Sequence, residues 1–157
     1  MLSRAGFQAA VNSFSSAFRS FVPNRESDGS HFIGSDAASN VITYANNAKI
    51  YGAGGKDTIV DLGTNTYVDG GSDVDSIISI GTGANLNGGF GDDMIFAYGM
   101  NSIVDGGFGK DLIYIANDKI TAKGGDGNDS IYSQKINLSL YNMSMFQFIQ
   151  AVFGVKL

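Results

Sequence analysis

Large aliphatic residues return along this chain at a fixed interval of 18. Val41, Ile59, Ile77, Ile95, Ile113 and Ile131 form one series. Ile50, Val68, Leu86, Val104, Ala122 and Leu140 form another, offset from the first by nine residues. Each aliphatic lies in a short run of strand formers, and glycine, asparagine and aspartate fill the intervals. A period near 20 residues that holds in phase is the mark of a solenoid. The pattern predicts about six 18-residue turns over residues 34–141, each with two short strands that send one aliphatic inward. Parallel stacking would place equivalent positions about 4.8 Å apart. The expected fold class is therefore an all-β solenoid, a right-handed parallel β-roll with a narrow core between two sheets.

The polar positions predict how the chain reverses. With each turn numbered from Gly34, Gly52, Gly70, Gly88, Gly106 and Gly124, one reversal occupies positions 1 to 6. It reads "GGDGNDSIY" from Gly124, "GGFGKDLIY" from Gly106, "GGFGDDMIF" from Gly88, "GGSDVDSII" from Gly70 and "GAGGKDTIV" from Gly52. The copy from Gly34, "GSDAASNVI", is degenerate. The other reversal carries Gly63, Gly81 and Gly99 at position 12, with Asn47, Asn65, Gly83 and Asn101 at position 14. Asparagine and glycine tolerate the positive φ of a tight reversal. One edge is thus glycine and aspartate, the other mostly glycine, asparagine and threonine.

Charge changes the picture on one edge only. Residues 34–141 hold 13 aspartates and 6 lysines, although the whole chain carries a formal charge of −5. This acidity disfavours nucleic acid as a partner and favours cations. Position 6 repeats as Asp57, Asp75, Asp93, Asp111 and Asp129, with Ser39 in the first copy. Two such charges about 4.8 Å apart repel by about 0.9 kcal/mol in water and about 3.5 kcal/mol at an effective dielectric of 20. A column of them needs counter-charge. Hard divalent cations held by carboxylates and backbone carbonyls fit, calcium most readily because its geometry is flexible. Lys56 and Lys110, beside Asp57 and Asp111, offer a metal-free alternative.

The repeats resemble the RTX (repeats-in-toxin) nonapeptide family, G-G-x-G-x-D-x-U-x with U a large aliphatic. The resemblance covers about residues 34–141. It implies several calcium ions along one edge, held between glycine loops of successive turns by the aspartates and loop carbonyls. Carried over residue by residue, the implied metal residues are Gly88, Gly89, Gly91 and Asp93; Gly106, Gly107, Gly109 and Asp111; and Gly124, Gly125, Gly127 and Asp129. Gly70 and Asp75 match in the third turn, where Asp73 replaces a motif glycine and either removes a needed conformation or adds a ligand. Asp57 matches in the second turn, where Ala53 replaces another glycine. The best gaps are expected between the Gly88, Gly106 and Gly124 loops. The intervening nonapeptides lack the loop, so ions are expected on one edge alone. The resemblance also points to a secreted or cell-surface protein.

The flanks read differently. Phe7, Val11, Phe14, Phe18 and Phe21 form one apolar stripe at helical spacing. Residues 1–22 are expected to be an amphipathic capping helix, 23–33 a linker, and 142–157 a cap or export-signal-like tail. On the roll itself, position 9 carries Ile42, Val60, Ile78, Phe96, Tyr114 and Tyr132. Strand alternation turns this row outward, as an apolar strip with Met94 and Leu112 that a terminal helix or another molecule would cover. The alternative function is an interaction module: a protein partner, self-association or a membrane surface met through the Phe stripe or through Phe96, Tyr114 and Tyr132, with calcium only structural. No catalytic group recommends an enzyme. His31 and Glu26 are the only residues of their kinds, and there is no cysteine.

Overall fold

Residues 22–24, 29–116 and 119–133 are described by the structure, a computed structural model. They form 13 short strands: β1 (Val22–Asn24), β2 (His31–Ile33), β3 (Asn40–Thr43), β4 (Lys49–Tyr51), β5 (Thr58–Asp61), β6 (Tyr67–Ser72), β7 (Ser76–Ser79), β8 (Asn85–Phe90), β9 (Met94–Ala97), β10 (Ile103–Phe108), β11 (Leu112–Ile115), β12 (Thr121–Asp126) and β13 (Ser130–Ser133). Odd-numbered strands make one sheet and even-numbered strands the other, each in chain order. Every pairing is parallel, and from β3 onward partners are 18 residues apart, as in Val41↔Ile59 and Ile113↔Ile131. This is the expected β-solenoid of about six turns, with no helix among the described residues. The helix expected over 1–22 and the cap or tail expected over 142–157 lie outside the described residues, apart from Val22 in β1. So do Phe7, Val11, Phe14, Phe18 and Phe21.

The segment expected to be a linker, 23–33, contributes strand instead. β1 pairs with β3 at an offset of 19, as in Val22↔Val41, and β2 pairs with β4 at 18. One extra residue between β1 and β2 breaks the phase, and Gly29, at φ +80°, takes the place that Asn47 and Asn65 hold in the next turns.

The two aliphatic series face each other as predicted. Val41, Ile59, Ile77, Ile95 and Ile113 lie against Ile50, Val68, Leu86 and Val104 in one continuous core, each at most 2 % exposed. Two further inward rows went unread: position 10 (Thr43, Asp61, Ser79, Ala97) and position 15 (Ala48, Thr66, Ala84, Ser102, Ile120), all buried. Several are polar, so hydrophobic periodicity alone misses them.

Position 9 is the outward row, and most of it is covered. The row is not part of that core cluster, yet Ile42, Val60, Ile78 and Phe96 are 1–4 % exposed. They are out of water, so no open apolar strip runs along this row. Tyr114 and Tyr132 remain half-buried, and Phe96, Tyr114 and Tyr132 stack ring on ring at 4.6 and 5.3 Å.

Candidate metal centre

The glycine-aspartate edge is built by stacking one loop on the next. At position 2, Gly71, Gly89, Gly107 and Gly125 have φ of +104 to +108°. A Cβ on any of them would overlap the carbonyl of the turn before. At position 4, Gly91, Gly109 and Gly127 have φ of +133 to +149° under the same constraint. The two departures from the motif keep the handedness. Ala53 sits at φ +79° and Asp73 at φ +77°. Both are in the left-handed region, where aspartate is tolerated and alanine is strained by about 1–2 kcal/mol. Asp73 therefore does not remove the backbone conformation.

Asp57, Asp75, Asp93 and Asp111 are each at most 2 % exposed, and Asp129, in the last described turn, is half-buried. One oxygen of each has a partner in the turn before. Oδ1 of Asp57 accepts from Ser39 N at 2.6 Å, and Oδ1 of Asp75 accepts from Asp57 N at 2.8 Å. Asp93, Asp111 and Asp129 continue the ladder, accepting from Asp75 N, Asp93 N and Asp111 N at 2.8–2.9 Å. The column is thus a backbone brace that ties each turn to the next.

The other oxygen is the anomaly. Oδ2 of Asp57, Asp75, Asp93 and Asp111 is buried and has no hydrogen-bond partner. Beside each position 1 glycine (Gly52, Gly70, Gly88, Gly106) this Oδ2 and the carbonyl oxygen of the next turn's glycine converge. A Cβ there would overlap both. Two acceptors face one spot, and the carboxylate oxygen of each pair has no donor. Leaving such a group unsatisfied costs about 1–3 kcal/mol, and more when it is charged.

Electrostatics state the same conflict. Burial pushes the Asp75 carboxyl up to about 7 and Asp93 up to about 6, with neighbouring column carboxylates adding to the rise. Burial also raises Asp57 and Asp111. The ladder's N–H bonds pull the other way and do not prevail. Neither Lys56 nor Lys110 pairs with the column; both are exposed, and the described ion pair Lys123 Nζ–Asp105 Oδ2, at 2.6 Å, lies on the other sheet. The acids of the column and the converging carbonyls are hard oxygen donors, the set that suits calcium or magnesium. Among the described residues no three acidic or imidazole side chains form a ligand cluster, so carbonyl oxygens would have to supply most of any coordination.

The second edge holds a buried carboxylate that the sequence reading passed over. Asp61 is fully buried, with Oδ2 accepting from Thr66 Oγ1 at 2.6 Å and Ser79 Oγ at 2.7 Å. Its Oδ1 accepts from Gly63 N at 3.1 Å. Burial raises its pKa and these three donors oppose the rise. Inward alternation from Ile59 to Asp61 was the available signal. Exposed apolar groups lie elsewhere: on the first edge Phe90 and Phe108 are 61 % and 52 % exposed and their rings stack at 4.8 Å, and on the even-numbered sheet Ile33 and Ile103 are 71 % and 53 % exposed.

Compared with known proteins, the chain matches no family model, no curated protein and no solved structure.

Proposed function

We propose that this chain is a calcium-binding β-roll whose folding and rigidity depend on ions held between its stacked glycine-aspartate loops. The supporting observation is the row of four buried Oδ2 atoms, each without a hydrogen-bond partner and each turned towards a glycine carbonyl. Asp57, Asp75, Asp93 and Asp111 would contribute these oxygens, with Asp129 in the last turn. Gly70, Gly88, Gly106 and Gly124 would contribute carbonyls, and the left-handed glycines, Gly89, Gly91, Gly107, Gly109, Gly125 and Gly127, let the loops stack closely enough to present them. A divalent ion supplies the positive charge that the column lacks. The unfolded chain has no such site, so binding free energy becomes folding free energy. Extracellular calcium modules work at about 10⁻⁴–10⁻³ M, and use of this site fits a secreted or cell-surface setting. No described group suggests catalysis.

The test is calcium binding by the chelator-treated chain, compared with Asp75→Asn/Asp93→Asn. Asparagine keeps the Oδ1 acceptor of the ladder and removes the charge. The expected result is several ions bound by the parent chain and fewer by the variant. Equal uptake, or none by the parent, would remove the proposal.

A second reading, an interaction module with calcium only structural, has one observation in its favour. The stacked Phe90–Phe108 pair is exposed on the glycine edge. Self-association lost on Phe90→Ser/Phe108→Ser with calcium binding intact would favour it.

A further inference from the structure

Two acidic side chains outside the column are placed unequally along it. Asp73, in the turn from Gly70, reaches back to the turn before, where its Oδ2 accepts from Gly55 N at 3.2 Å. Asp92, in the turn from Gly88, reaches forward, where its Oδ1 accepts from Lys110 N at 2.8 Å. A Cβ on Gly109 would lie 3.2 Å from the same oxygen. Each carboxylate therefore bridges one gap between loops. Asp73 bridges the gap flanked by Asp57 and Asp75, and Asp92 the gap flanked by Asp93 and Asp111. The gaps between Asp75 and Asp93, and between Asp111 and Asp129, have no such bridge among the described residues. Asp105 also bears on Asp111, but it is paired with Lys123.

Resting on the calcium reading above, we infer that Asp73 and Asp92 divide the column into two classes of cation site. The bridged gaps bind first and tightly, and the unbridged gaps bind later and weakly. The buried, unpartnered Oδ2 atoms of Asp57, Asp75, Asp93 and Asp111 mark where positive charge is wanted. Asp73 and Asp92 add negative charge to alternate gaps without competing for the ladder's N–H groups. Each lies across its gap, Asp73 on Gly55 N and Asp92 on Lys110 N. Without a cation both are a liability. With one, each added charge strengthens binding by about tenfold even at water's dielectric. Asp73 is also the residue that breaks the motif, at a φ of +77° that glycine would adopt more readily. Asp73 and Asp92 are positioning residues for the cation, not members of the converging oxygen pairs.

The inference is tested by calorimetric calcium titration of the full chain and of Asp73→Asn, Asp92→Asn and Asp126→Asn, with melting curves in chelator. Asparagine can keep the bridging acceptor while losing the charge, and Asp126 is an exposed acid at the end of β12 with no described side-chain bond to a neighbouring turn. The parent chain should bind in a tight and a weak class. Asp73→Asn and Asp92→Asn should each weaken one tight site about tenfold, leave melting in chelator no lower, and Asp126→Asn should change neither. Asp73→Gly, which restores the repeat's own residue, should lose the same site while folding normally. A single class in the parent chain, coincident isotherms, an equal effect of Asp126→Asn, or site loss that tracks lower stability in chelator would overturn this inference and leave calcium binding standing. A parent chain that takes up no calcium would overturn both.

Discussion

The roll buries aspartate on both of its edges, and the two edges treat it differently. On the second edge Asp61 receives three donors, from Thr66, Ser79 and Gly63, so both of its oxygens are satisfied. On the first edge Asp75 receives one N–H on Oδ1, while its Oδ2 faces a carbonyl. Burial alone does not make a carboxylate a metal ligand. What separates the edges is donor supply: a carboxylate with enough hydroxyls and amides around it is a structural pin, whereas one aimed at another acceptor needs a cation or a proton.

The largest break from a single substitution is expected at the pin. Asp61→Ala strands two hydroxyls and an amide in the interior and should cost about 3 kcal/mol. Because no ion is involved, denaturant melts should give the same loss with calcium and with chelator.

The column should instead respond to pH. Asp75 and Asp93 have folded-state pKa values of about 7 and about 6, above the ordinary 3.8. A carboxyl raised on folding keeps its proton longer in the native state. Its contribution is fully present below about pH 3.8 and is lost as pH rises through the folded value. In chelator, stability should therefore fall between about pH 4 and 7, by up to about 1.4 kcal/mol per pH unit for each carboxyl. Saturating calcium should flatten or reverse the trend. Urea melts across that range decide it.

A smaller effect of opposite sign is expected from Asp93→Asn. The amide N–H₂ can donate towards the Gly106 carbonyl while its oxygen keeps the bond to Asp75 N. In chelator the variant should be more stable than the parent by about 1 kcal/mol, and calcium should stabilise it less. Chemical denaturation in both conditions reads the two signs. The smallest expected change is Ala53→Gly, which relieves a left-handed alanine at φ +79°. A gain of no more than about 1 kcal/mol is expected, because glycine's extra unfolded-state freedom offsets part of the relief.

Much of this was legible because a solenoid repeats its instructions. Ile59, Ile77 and Ile95 each occupy the same inward place, and Asn47, Asn65 and Asn101 each take the positive φ, from 54 to 60°, that the second reversal requires. The aspartate column was equally plain. Its ladder of N–H bonds was not, because a register of 18 places Asp75 Oδ1 on Asp57 N only once the loops are stacked. Features that occur once were lost. The register of 18 sets Asp61 beside Ser79, but position 10 changes residue type from turn to turn, so the pair does not show as a repeat. The strand at Val22–Asn24 lies beyond a one-residue slip, and His31–Ile33, still in the register of 18, precedes the first copy of the loop. Position 9 was read as outward from alternation, but alternation says which face a residue takes and not whether that face meets water.

The central claim, that the glycine-aspartate edge is completed by calcium, is tested most directly by circular dichroism of the chelator-treated chain during a calcium titration, with magnesium as control. The predicted result at neutral pH is β signal that develops cooperatively with calcium and far less with magnesium. A spectrum that is fully β in chelator, with a melting temperature that calcium leaves unchanged, would contradict it.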